Sequence, residues 1–310
     1  MPDPTRSPLV IAHRGASGYR PEHTEAAYRL AFAQGADAVE PDIVVSRDGV
    51  LVLRHEHELS GSTDVAEHPE FADRRRLGFG ESGEIEGWFT EDFTWAELAT
   101  LRAREPRPSI RPESASHNDE FGILRFDDLL ALLAEPSAVS ATGQPTVLVA
   151  ELKHANEYAE MGIDLPGLVV DALIRAGWRH DDPRLVFESF QPEALDALAG
   201  WGTRVLLVDS EHWPADPLAA CARFDGFSCE VERIAAEPEL VARLHEAGKL
   251  VYAYTLRAEN HFLPAEAQRG NDSATPGNWR DWFTRVLDSG IDAVFADQPD
   301  LAWLVVGGAD

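Results

Sequence analysis

The chain is 310 residues long and 44% hydrophobic, and its 27 basic against 54 acidic side chains give a formal net charge of −27. This length and apolar content suit one large α/β domain spanning residues 1–310 better than two small ones. The acidity argues against nucleic acid or an anionic membrane as a stable partner and favours divalent cations, so a phosphate site here needs its own local positive charge.

In chain order, the leading MPDPTRSP has no basic segment followed by an apolar run. The expectation is a cytoplasmic protein as the sequence stands, or a periplasmic or secreted one if a signal was removed. Short β-branched runs follow: LVIA at 9–12, AVEPDIVV at 38–45, TVLVAEL at 146–152 and RLVFES at 184–189. RVLLVD at 204–209, GFSCE at 226–230, LVYAYTL at 250–256 and DAVFAD at 292–297 bring the set to eight. Amphipathic stretches such as TEAAYRLAFAQ, LPGLVVDALIRAG and PELVARLHEAG lie between them, several ending in glycine. Eight βα units predict a (β/α)8 TIM-type barrel.

One run breaks the alternation. VLVLRH at 50–55 follows the second strand too closely for a helical crossover and must return as an antiparallel hairpin. Residues 56 to about 125 are charge-rich and irregular, and are expected to form a small inserted subdomain. A second long connection, 259–279, follows the seventh strand, where barrel enzymes place site-shaping loops.

Strand ends carry the chemistry. The first ends in His13-Arg14-Gly15, the second holds Glu40-Pro41-Asp42, the hairpin ends in His55-Glu56, and the third holds Glu151-Leu152-Lys153. Residues two apart on a strand face one way, so Glu40 shares a side with Asp42, and Glu151 with Lys153. Three carboxylates without a nearby cysteine make a hard oxygen site for Ca2+ or Mg2+. His13 and His55 suit proton removal and delivery near neutral pH. Arg14 offers a planar fork to phosphate, while Lys153 fits either the phosphate or an ion pair with Glu151. Cys221 and Cys229 read as buried packing residues. His57, His68, His117, His154, His180, His212, His245 and His261 read as surface residues, and Thr24 or His23 as the cap of the first helix.

These residues resemble the glycerophosphodiester phosphodiesterase family, through AHRGASGYRPEHTEAAY, AVEPDIVVSRDGVLVLRHE, VAELK and DAVFADQPD. TDVAEHPEFADRR, GWFTEDFTWAEL and YTLRAENHFLPAE are similar to its larger bacterial subgroup, which carries an insertion after the second histidine. The resemblance implies hydrolysis of glycerophosphodiesters to sn-glycerol 3-phosphate and an alcohol. It implies Glu40, Asp42 and Glu151 around one divalent cation (Ca2+, with Mg2+ as the alternative), His13 and His55 as acid and base, and Arg14 and Lys153 on the phosphate. It further implies Glu22 as a site residue and Phe190 along the glycerol pocket. Where the family commonly has Asn after Pro-Glu, this chain has His23.

Two rivals compete with that reading. A phospholipase D-like or phosphoinositide-cleaving lipase on the same barrel would dock through exposed apolar loops, for which Trp88, Phe89, Phe93 and Trp95 are candidates. A non-catalytic phosphate-binding barrel would be expected to have lost part of the polar set. The acidic and mixed loops favour a water-soluble, small-molecule substrate.

Overall fold

The computed structural model describes residues 7–80 and 83–308. Its strands are β1 (Leu9–His13), β2 (Ala38–Glu40), β3 (Asp42–Val45), β4 (Leu51–Leu53), β5 (Arg76–Gly80) and β6 (Gly83–Gly87). They continue with β7 (Val147–Leu152), β8 (Leu185–Ser189), β9 (Thr203–Leu207), β10 (Gly226–Glu230), β11 (Leu250–Leu256) and β12 (Ala293–Ala296). The second expected strand is split at Pro41, which has no N–H to give a ladder. Its first half pairs with β1 and β7, its second with β7, so β2 and β3 form one broken stave. From that stave the parallel ring runs through β7 to β12 and back to β1, closing the expected (β/α)8 barrel.

Ile11, Ala38, Val149, Val186, Val205, Tyr252, Ala293 and Phe295 fill the inside of the ring. A larger apolar cluster packs between the strands and the surrounding helices. Because side chains alternate along a strand, the next inward residue after each plug residue lies at the mouth. His13 follows Ile11 in this way, Glu40 follows Ala38, Glu151 follows Val149, Glu188 follows Val186, and Asp297 follows Phe295. The site therefore stands on an apolar floor.

The first helix, Glu25–Ala33, begins where the Thr24 hydroxyl accepts the Ala27 N–H at 3.2 Å. A cap of this kind contributes about 1 kcal/mol. Leu165–Arg175 starts likewise on Asp164, which accepts from Gly167 N at 3.0 Å. The hairpin is found as expected: β4 lies antiparallel to β3 with Ile43 opposite Leu53 and Val45 opposite Leu51.

Between β4 and the helix Phe126–Leu133 lie short 3-10 turns, single-turn helices and the β5–β6 hairpin. The aromatic set singled out there is not an exposed patch. Phe89 and Phe93 are fully buried, and Trp88, half-buried, donates its indole N–H to Phe71 O at 2.7 Å. Packing under the hairpin claims these rings. Among the described residues of this segment, the exposed large apolar side chains are instead Leu77, Phe79 and Ile85, on the hairpin itself. Among the described residues, no helix is long and apolar enough to cross a membrane.

Candidate active site

Immediately after β1 the backbone turns through two left-handed residues, Arg14 (φ 61) and Gly15 (φ 81). A Cβ at Gly15 would sit 2.7 Å from the Ala27 backbone, so this close approach requires glycine. The turn lets the Arg14 N–H donate to Glu40 Oε2 at 2.8 Å. It also folds the guanidinium back over the mouth, with Nη1 2.9 Å from Glu22 and Nε 3.3 Å from Asp42 Oδ2. Burial pushes the Glu22 carboxyl up, but the charges of Arg14, His23 and Arg54 outweigh it and bring it down to about 2.

Glu40, Asp42 and Glu151 meet here. Each offers an oxygen within 4.8 Å of the other two, and all three are buried. Strand register brings them together, pairing Asp42 with Glu151 and Glu40 with His13. Burial, followed by the charges of Asp42, Glu188 and Glu151, pushes the Glu40 carboxyl well above its usual range. Burial and Asp42 push Glu151 up to about 8, against the pull of Lys153. Asp42 moves the other way, because Lys153, His55, the His23 hydrogen bond and Arg14 outweigh its burial. Three negative charges this close do not sit together without a counter-ion. Glu40 Oε1 and Asp42 Oδ1 are buried with no hydrogen-bond partner among the described residues, so the residues present fit a hard divalent cation.

Two imidazoles flank this cluster. His13 holds Nδ1 2.6 Å from Asp297 Oδ1. Burial and the charge of Arg14 bring its pKa down to about 4. At neutral pH it is therefore neutral, with Nδ1–H given to Asp297 and Nε2 left as the ring's acceptor. His55 holds Nδ1 2.9 Å from Glu56, and burial, Arg14 and Lys153 push its pKa well below the ordinary value.

The cavity between them, about 490 Å3, is large enough for a small phosphodiester and is lined by His13, Arg14, Glu22, Glu40, His55, Glu151 and Phe190. Asp42 and Lys153 stand behind that wall. Lys153 Nζ lies 3.2 Å from Glu151 and 5.9 Å from the centre of the Phe190 ring, so the ion pair and a place near the cavity coexist. Phe190 is 39% exposed, its ring edge-on to Tyr254 at 6.0 Å. All nine residues singled out in the sequence are thus gathered at one end of the barrel.

Several residues were misread or missed. His23 does not cap the helix: Thr24 does, and His23 is fully buried in a left-handed conformation (φ 57). Its Nε2 lies 2.9 Å from Asp42 and its Nδ1 2.9 Å from the Tyr28 hydroxyl, so it props a carboxylate of the cluster. His57 is buried too, with its ring centre 4.4 Å from that of half-buried His154 and tilted 31° to it. His68, His117 and His245 are also half-buried and pair with nearby acids. Asp297 was overlooked, although inward parity in DAVFAD pointed to it. Besides His13 it accepts from Arg257 Nε at 2.7 Å and from Arg111, which comes from the inserted segment and also holds Glu259 at 2.8 Å. Glu188, in FES, carried the same parity signal. Arg111 carried none.

The family model for the glycerophosphoryl diester phosphodiesterase family matches residues 13–301. The chain is 29% identical to a glycerophosphodiester phosphodiesterase of Arabidopsis thaliana, over 94% of this chain and 84% of that protein. It is 30% identical to a Mycobacterium tuberculosis protein described as a probable glycerophosphodiester phosphodiesterase, over 80% of this chain and 82% of that one. A solved Oleispira antarctica phosphodiesterase, in complex with the product sn-glycerol-3-phosphate, superposes with a TM-score of 0.69 at 24% identity, covering 97% of each chain. At that identity the likeness speaks for the fold. The chain belongs to the glycerophosphoryl diester phosphodiesterase family and is a phosphoric diester hydrolase.

Proposed function

We propose that this site hydrolyses glycerophosphodiesters to sn-glycerol 3-phosphate and an alcohol, with a divalent cation held by Glu40, Asp42 and Glu151 and with His13 and His55 as the acid–base pair. The reading is carried by one observation: a buried carboxylate trio, two of whose oxygens have no partner among the described residues, lies beside two imidazoles held neutral. A cation bound there would offset the trio's charge and polarise the phosphoryl oxygens. Arg14, aimed over the mouth from its left-handed turn, binds a non-bridging oxygen, and Lys153 adds positive charge from behind. One neutral histidine takes the proton of the attacking oxygen, and the other, protonated as the anionic diester arrives, gives its proton to the leaving alkoxide. Asp297 keeps the His13 ring in the tautomer that presents Nε2.

The test is a panel of glycerophosphocholine, glycerophosphoethanolamine and their diacyl parents, assayed in EDTA and after separate return of Ca2+ and Mg2+. The deacylated diesters are expected to turn over only with a cation. Full turnover in EDTA would remove the cation from the reading. Preference for the diacyl lipids would favour the lipase reading, which the exposed Leu77, Phe79 and Ile85 keep in the panel. A substrate lacking the glycerol 2-hydroxyl separates attack by water from attack by that hydroxyl.

A further inference from the structure

One buried acid at the mouth has no part in the reaction set out above. Glu188 lies on β8 and is 1% exposed. Register places it beside Glu151, as it places Glu151 beside Asp42, so three carboxylates form a row across β3, β7 and β8. It lines the same cavity as Glu40 and Glu151. Its Oε2 is a buried acceptor with no hydrogen-bond donor among the described residues. A buried acid with an unmade hydrogen bond next to further acids destabilises the protein unless something arrives to satisfy it. The floor below it is apolar, with Val186 the inward residue before it on the strand, so packing gives no reason for a charge here.

We propose that Glu188 belongs to the cation site: its carboxylate accepts hydrogen bonds from water on the cation held by Glu40, Asp42 and Glu151, and adds a fourth negative charge to the cradle. This rests on the reading of the trio given above. The trio's oxygens fall within 4.8 Å of one another, a group that does not include Glu188. That spacing is about the diameter of an oxygen shell around Ca2+, which puts Glu188 in the layer that receives the ion's waters and not in the shell itself.

The experiment titrates Ca2+, and separately Mg2+, into chelator-stripped wild type and Glu188→Gln by calorimetry, and follows thermal unfolding of both in EDTA and at saturating Ca2+. The amide is expected to bind about 10–100-fold more weakly. Its Tm in EDTA should be no lower than that of wild type, while the rise in Tm on adding Ca2+ should shrink. A variant affinity within about two-fold of wild type overturns the proposal. So does a fall in Tm in EDTA of more than about 4 °C, which would mark Glu188 as a structural residue. If the amide does not fold, Glu188→Asp takes its place; the shorter side chain should also weaken binding, and unchanged affinity overturns the proposal. Failure of wild type to bind either ion is a different result, since it removes the trio as a cation site whatever Glu188 does.

Discussion

The barrel mouth and the segment inserted after β4 hold their polar side chains by different means. At the mouth, backbone register does the placing: β1 and β2 end in an inward polar residue, β3 begins with one, β7 and β8 carry one just before their last residue, and ladder hydrogen bonds fix how those residues face one another. In the insertion, side chains do it. Arg76 reaches Glu91 at 2.9 Å and stacks 4.3 Å from the centre of the Phe89 ring, His57 lies between Glu91 at 3.2 Å and Phe79 O at 2.6 Å, and Arg111 crosses to Glu259 and Asp297. A ladder holds its residues at every pH. A web of ion pairs stays in place only while its charges do.

Removal of either imidazole at the mouth should have the largest effect. His13→Ala and His55→Ala are each expected to lower kcat about 10³-fold with the fold intact, as read by steady-state kinetics beside circular dichroism. Near-parental kcat in both would end the acid–base assignment. At the bridge between the two regions, Arg111→Ala leaves Glu259 without its cation and takes one of three donors from Asp297. A loss of about 3 kcal/mol in urea unfolding is expected, since a buried ion pair is broken from one side. If stability holds while kcat collapses, the insertion is part of the catalytic machinery and the contrast drawn above weakens.

Asp297→Asn should act through His13, cutting kcat about 10²-fold with KM little changed, because the ring loses the partner that sets its tautomer. An unchanged kcat would show that neighbouring packing orients His13 without the carboxylate.

The smallest effect is expected in the insertion. His57 faces an acceptor at each ring nitrogen, so only the imidazolium satisfies both. Burial lowers its pKa, but Glu91 and the Phe79 carbonyl outweigh burial and leave it raised. With the folded value above the unfolded one, the stabilisation is full below about pH 6.5 and fades as pH climbs through the folded value. The Tm advantage of wild type over His57→Gln should therefore be largest near about pH 6 and shrink towards about pH 8. An advantage that grew with pH would reverse the assignment.

The eight staves, the β4 hairpin and the meeting of His13, Glu40, Asp42, His55, Glu151 and Lys153 at one mouth were legible because each rests on a short-range rule, alternation along a strand or a polar residue near a strand's end, whereas Glu22 and Phe190 came only from the family resemblance. Glu188 and Asp297 obeyed the same rule and needed only that the parity be followed one strand further. His23 and His57 were not legible. Their partners Asp42 and Glu91 lie 19 and 34 positions away, and a lone histidine between polar neighbours gives no sign of being covered. Phe89 and Phe93 looked available to solvent for the same reason.

By itself, then, the sequence determined the barrel and its ring of acids, histidines and Arg14, because strand periodicity is local and β-branched runs must bury both faces. Only the tertiary structure decided which histidines are covered, that Arg111 ties the insertion to Asp297, and that a fourth acid stands beside the trio with an oxygen unpaired. Burial and charge pairing depend on which distant segments meet, and that is settled when the ring closes.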